Sequence, residues 1–361
     1  MFNQRDANIP IMNQLAISLL LLSSLVIAAL SLAGCTSPGT LPEELPPEGI
    51  TPDTTDPPGA PPGSPQSIVA ANNLFALDLY SRLAGDPKNS GENLFFSPFS
   101  ISSALAITYE GARGDTASEI LEVFYFPADS EGMRAGYQAI IGGINNGSSA
   151  YQLRTANALW AEQTYPFLPA YISVADEVYG ARATNLDFIT KPDDSRVTIN
   201  QWVEEQTNDK IRDLLPAGSI NSLTRLVITN AVYFKGTWEK QFDEKETRIQ
   251  DFRTSDGTIL PVAMMQRTDT NATYGYMETG DLQVLLMPYE SDSGKHLSMM
   301  ILLPKDGDLA DLEGSLSAKW LKGLQQNLTT QRVMVYFPKF TMETKYSLPA
   351  TLSAMGMPTA F

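Results

Sequence analysis

The two side chains that carry most nucleophilic, acid–base and metal chemistry in proteins occur here once each, as Cys35 and His296. A tetrahedral zinc site takes four nitrogen or sulfur ligands, and these two residues supply only half of them. A single cysteine also excludes an internal disulfide. There is no Gly-x-Ser-x-Gly elbow. His296 follows the Ser293-Gly294-Lys295 turn ahead of a predicted strand, which makes it an exposed turn residue rather than a general base. Paired carboxylates could cleave a glycoside, but no Asp or Glu stands in a pattern that suggests it, and the charged positions read as solvated surface. The inventory therefore points to a protein that is not an enzyme and that uses no metal and no cofactor. One polar residue is conspicuous for another reason. Asn230 lies inside residues 226–234 (LVITNAVYF), an almost continuous apolar run that predicts a strand covered on both faces. A buried amide without hydrogen-bond partners costs about 1–3 kcal/mol, so Asn230 must find some.

Composition narrows the partners. The chain has 361 residues, with 41 acidic against 25 basic side chains and a formal net charge of −16. Such a chain repels phosphate backbones, which excludes nucleic acid. At 43% hydrophobic residues it can build a large core. Residues 15–33 are an uncharged stretch of Leu, Ile, Val, Ala and Ser, long enough for a secretory signal or a short spanning helix. The stretch runs into Leu32-Ala33-Gly34-Cys35, which resembles the lipobox of prokaryotic lipoproteins. That resemblance implies lipid attachment at Cys35 and a membrane-anchored position at the cell surface. The alternative is an uncleaved signal anchor with an incidental cysteine; both put the remainder outside the cytoplasm. Residues 36–66 hold ten prolines, five acidic residues and no Lys or Arg, the composition of a semi-stiff tether. The predicted organisation is thus a signal peptide over 1–35, a linker over 36–66 and a folded domain over 67–361.

Within that domain the apolar positions Ala71, Phe75, Leu79 and Leu83 step by four and predict a helix stopped by Gly85. Pro98 suits the first turn of a second helix, which ends at Gly111-Ala-Arg-Gly114. Thr116-Ala-Ser-Glu119 has the form of a capping box for a third. A strand over 153–161, an amphipathic helix from Leu168 to its stop at Gly180, and a helix entered through Asp193, Asp194 and Ser195 follow. Further strands are predicted over 282–288, 297–304 and 332–337, with one helix between Leu309 and Leu328. Three glycosylation tripeptides begin at Asn146, Asn271 and Asn327, a number that arises readily by chance.

The order of these segments resembles the serpin family across nearly all of residues 68–361. The matching motifs are Asn93-Leu-Phe-Phe-Ser-Pro-Phe-Ser-Ile-Ser-Ser-Ala-Leu with Gly111-Ala-Arg-Gly-Asp-Thr116, then Asn157-Ala-Leu-Trp160, and Trp202 with Thr207, Ile211, Asp213 and Leu214. Thr229-Asn-Ala-Val-Tyr-Phe-Lys-Gly-Thr-Trp238, Phe242, Met264-Met265, Leu286-Met-Pro-Tyr289, Ile301-Leu-Leu-Pro-Lys305, Phe337-Pro-Lys-Phe340 and Met355-Gly-Met-Pro-Thr-Ala-Phe361 complete them. The resemblance implies an α+β fold of three β-sheets with about nine surrounding helices. It also implies an inhibitor of serine proteases, and sometimes cysteine proteases, that traps its target when a cleaved loop inserts into the large sheet. Ser97, Ser100 and Asn230 match the family's shutter, the polar cluster where strands part, with the two serines expected to partner Asn230. Trp238 matches the breach at the top of that sheet; its bland reading is an ordinary core aromatic. In the family, residues like 355–361 precede several dozen more that hold a shutter histidine, further strands and the reactive loop. The expectation is that this polypeptide alone carries the scaffold without the reactive bond, inhibits no protease and folds with reduced cooperativity. A lipid-anchored binding or structural protein with a serpin body is the competing reading.

Overall fold

The computed structural model describes residues 2–3, 64–254, 257–292, 296–305 and 309–361. Cys35, the apolar stretch before it and the tether as far as Gly63 lie outside them. Among the described residues the elements in chain order are β1 (Phe2–Asn3), α1 (Pro65–Ala84), α2 (Pro98–Gly111), α3 (Gly114–Val123), α4 (Ser130–Asn145), β2 (Tyr151–Glu162), α5 (Pro169–Tyr179), β3 (Arg182–Leu186), α6 (Pro192–Gln206) and β4 (Leu226–Gly236). They continue with β5 (Arg248–Arg253), β6 (Ile259–Arg267), β7 (Thr273–Glu278), β8 (Leu282–Pro288), β9 (Ser298–Pro304), α7 (Leu309–Gly314), α8 (Ala318–Asn327), β10 (Thr329–Arg332), β11 (Met334–Pro338) and α9 (Pro349–Met355). The strands form three sheets, ordered β3-β2-β4, β1-β11-β6-β5 and β10-β7-β8-β9. This is the expected α+β architecture.

Local chemistry accounts for the helix ends. Ser64 caps α1 through its hydroxyl, with Pro65 following where a missing N–H costs nothing. Ser97 and Pro98 repeat that arrangement for α2. Gly180 takes φ 65° after α5, the left-handed conformation a glycine adopts without strain. The capping box expected at Thr116–Glu119 does not form. Helix α3 begins at Gly114, so Thr116 sits inside its first turn, and Arg113 in the capping position makes no side-chain cap. The single helix expected from Leu309 to Leu328 is two, because the Ser317 hydroxyl accepts the Trp320 N–H and starts α8 afresh. The strand expected over 332–337 is divided between two sheets. Val333 donates its N–H to the Ala272 carbonyl at 2.8 Å, and the chain passes from β10, paired with β7, to β11, paired with β6.

The largest core lies where α1 to α5 and α9 meet. Phe75, Leu79, Ile120, Phe124, Tyr137 and Tyr179 are each fully buried there, with the Phe75 and Phe124 rings stacked at 4.2 Å. Leu226 and Ile228 bring β4 onto this core, and α2 packs against that strand. On its pairing side β4 runs antiparallel to β2 over eleven positions. Both faces of β4 meet helices, as expected: Leu226 and Ile228 pack on the core under α2, and Val227 packs with Ile199 and Trp202 of α6. The open side is its edge, since β4 ends the sheet order β3-β2-β4, and most of its residues are half-buried.

Strand β2 ends on a carboxylate. Glu162 is buried and accepts hydrogen bonds from the Thr164 N–H at 3.1 Å, the Thr164 hydroxyl at 2.9 Å and the Phe188 N–H at 2.7 Å. Burial raises its pKa, but these three donors outweigh burial and hold the carboxyl below its ordinary range. A carboxyl depressed by folding contributes stability above its unfolded pKa and loses it as pH falls through the folded value. In Glu162→Gln, urea unfolding is expected to show a lower midpoint at pH 7 and a shallower fall in midpoint below about pH 4.3 than the parent. Parallel profiles for the two proteins would contradict this account.

Candidate functional site

The polar cluster forms on the paired strands β2 and β4. Their register sets Asn157 opposite Asn230, with Thr155 two positions along and on the same face as Asn157. Asn230 donates from Nδ2 to Asn157 Oδ1 at 2.7 Å and to Thr155 Oγ1 at 3.2 Å. Its own Oδ1 is buried and accepts no hydrogen bond. On the side of β2 away from β4, ahead of the start of β3, the Asn145 side chain takes the place of a pairing strand. It donates to the Thr155 carbonyl at 2.9 Å and accepts the Thr155 N–H at 3.0 Å. Trp160, further along β2, donates from Nε1 to the Thr229 hydroxyl at 2.9 Å, so a second polar pair joins the same two strands.

The serines are placed differently from the expectation. The Ser100 hydroxyl donates to the Ser97 hydroxyl at 3.0 Å, and Ser97 caps α2. Neither bonds to Asn230, whose partners are Thr155 and Asn157. The reason is geometric: a capping hydroxyl must turn toward its own helix N–H groups, whereas Thr155 and Asn157 already face Asn230 across the ladder. Helix α2 does pack against β4, so the serines and the amide belong to adjoining elements. On the same helix the Ser103 hydroxyl is buried without a partner.

Trp238 lies just past β4, half-buried. Its ring stacks on Tyr289 at 4.2 Å and 14°, and an isolated bridge joins the two residues. Thr237 and Glu239 extend that contact by backbone hydrogen bonds to Glu290 and Pro288. A Cβ on Gly236 would stand 2.7 Å from the Phe234 ring and 2.8 Å from the Tyr289 ring, so only glycine permits this packing. Burial pushes the Tyr289 hydroxyl up to about 12. His296 is exposed ahead of β9, as expected of a turn residue. Among the described residues no group of three or more His, Cys, Asp or Glu could hold a metal.

Sequence reasoning missed Thr155, Asn157, Asn145 and Tyr289 as members of these clusters. The signal for Thr155 with Asn157 was present: polar residues two apart inside an apolar strand share a face. In Asn230→Ala, Asn157 Oδ1 and Thr155 Oγ1 lose their donor, and unfolding should be easier by about 1–3 kcal/mol. Asn230→Asp is expected to be worse than Ala, because an acceptor replaces the donor facing Asn157 Oδ1. Chemical denaturation of both variants measures this, and the reverse ranking would refute the arrangement.

Comparison with known proteins agrees with the geometry. The family described as "Serpin (serine protease inhibitor)" matches residues 70–361. An uncharacterized serpin-like protein of Thermococcus kodakarensis is 41% identical over 300 residues, covering 83% of this chain and 67% of the relative. The leukocyte elastase inhibitor of Homo sapiens is 38% identical over 305 residues, covering 82% and 78%. Among solved structures, emu (Dromaius novaehollandiae) ovalbumin superposes with a TM-score of 0.75 at 32% identity, covering 81% of this chain and 78% of ovalbumin. Reactive-loop-cleaved human thyroxine-binding globulin gives a TM-score of 0.76 at 28% identity, covering 82% and 86%. The chain belongs to the serpin family.

Proposed function

We propose that the protein is a serpin-type inhibitor of serine proteases, in which a reactive segment from outside the elements described above inserts as a strand beside β4 and traps the target. The observation that carries this reading is the state of β4 itself. It is an apolar strand that pairs on one side only among the described residues, is half-buried, and holds a buried amide oxygen with no donor. A strand added at that edge would cover apolar surface and complete the backbone ladder. Its amides would also supply donors close to Asn230. Relatives named as leukocyte elastase inhibitors support an elastase-like serine protease as the target. In the trapped state, gain of a strand drives the reaction, so the active form is held by a kinetic barrier rather than by equilibrium. Mixing the full-length protein with a panel of serine proteases should yield an acyl adduct that survives SDS, with the mass of protease plus inhibitor less the peptide released beyond the cleaved bond. Cleavage without adduct across the whole panel would favour the alternative, a binding protein with a serpin body.

The second part of the proposal concerns location. Leu32-Ala33-Gly34-Cys35, after an uncharged stretch, supports lipid attachment at the Cys35 sulfur, with the Pro-rich segment holding the inhibitor off the membrane surface at the cell exterior. Palmitate label is expected in the membrane fraction of expressing cells and is expected to vanish in Cys35→Ala. Label that persists in the variant would overturn the anchor.

A further inference from the structure

Glu110, near the end of α2, has a side chain only 6% exposed. Arg134 of α4 grips it with both arms of the guanidinium, Nε to Oε1 at 3.0 Å and Nη2 to Oε2 at 2.6 Å. A carboxylate so paired needs no further partner, yet Oε1 also accepts from the Tyr179 hydroxyl at 3.1 Å. Tyr179 is fully buried at the end of α5. Its hydroxyl titrates far above the ordinary range, chiefly because of burial and then because of Glu110. Its main-chain carbonyl is one of the last in the helix, a group that the helix itself leaves without a partner. Asn157 Nδ2 fills that gap at 2.8 Å. Asn157 has its other end, Oδ1, committed to Asn230. An unbroken chain of hydrogen bonds and covalent links therefore runs Arg134–Glu110–Tyr179–Asn157–Asn230. It starts at the wall of a cavity of about 490 Å³ between α2, α3 and α4, and it ends in the middle of β4.

We propose that Glu110 and Tyr179 are positioning residues for Asn230. Acting through Asn157, they set the orientation of that amide and the ease with which the β2–β4 pair opens. This rests on the reading of β4 as the strand beside which insertion occurs. The polarity of each link supports it. Asn157 can offer Oδ1 to Asn230 only while Nδ2 points at the Tyr179 carbonyl, and that carbonyl is held where the hydroxyl at the other end of the residue meets Glu110. Loosening Tyr179 therefore frees the Asn157 amide to rotate, and Asn230 loses its stronger acceptor. A purely structural role for Glu110, tying α2 to α4, would leave β2 and β4 unaffected.

Native-state amide hydrogen exchange separates the two roles and does not depend on inhibition. Tyr179→Phe removes one hydroxyl and keeps ring and backbone. It should raise exchange in residues 151–157 and 226–236 about three- to tenfold, the effect of one hydrogen bond on a local opening equilibrium. Glu110→Gln, which retains an acceptor for the Tyr179 hydroxyl, should largely restore protection relative to Glu110→Ala. Ser102→Ala removes a buried bond in the same core, Ser102 to Tyr137 at 2.6 Å, that lies outside the chain. It should leave those strands unchanged. In an Asn230→Ala background, Tyr179→Phe should add nothing to exchange in β4. Exchange that rises only in α2, α4 and α5, or equally in β7 to β9, would overturn the proposal. If the strands respond as expected but no protease adduct forms, the inhibitory reading fails and the positioning role stands.

Discussion

A side-chain amide in the middle of an apolar strand constrains most of what surrounds it. Asn230 needs partners that are themselves polar, fixed and out of water, and the neighbouring strand is the nearest place to find them. That requirement puts Thr155 and Asn157 on one face of β2, and they in turn need Asn145 and the end of α5 to hold them. A low-dielectric interior strengthens each of these bonds and makes each missing one expensive. The cluster is therefore coupled: few of its members can be altered without leaving another with an empty valence.

The strand that carries this amide also carries the fold's unfinished business. Apolar runs such as 226–234 and 298–304 have the composition of interior strands, yet β4 and β9 each stand last in their sheet order among the described residues. Edge strands in soluble proteins are usually blunted by charge, proline or bulges, and β4 has none of these before Lys235. Its surface is suited to receive a strand. On the proposed inhibitory reading, the free energy released on covering such an edge is what does work on a bound protease.

Membership of the serpin family and the activity of this protein are separate matters. The family includes thyroxine-binding globulin and ovalbumin among the structures that resemble this chain, alongside relatives named as elastase inhibitors, and the archaeal relatives carry no assigned activity. A common body supports more than one use, and the use is decided by sites placed upon it.

Much of the architecture was legible in the chain itself. Period-four apolar spacing in α1, proline placement in α2, the glycine stop after α5 and the acidic first turn of α6 are local signals, and local backbone physics decides them. The three-sheet fold and the family followed from motifs in order. Asn230 could be singled out for the same reason, since a polar residue in an apolar run is anomalous wherever it is. What could not be read were relations between segments far apart in sequence. Asn230 meets Thr155 across 75 residues, Trp238 meets Tyr289 at an isolated bridge between the ends of β4 and β8, and the strand over 332–337 divides between sheets because Ala272 meets it there. Pairing register and the choice of which polar group faces which are settled only when the strands come together. The sequence by itself dictated which side chains needed partners; the tertiary structure decided who those partners are, because a hydrogen bond is made by position and not by residue type.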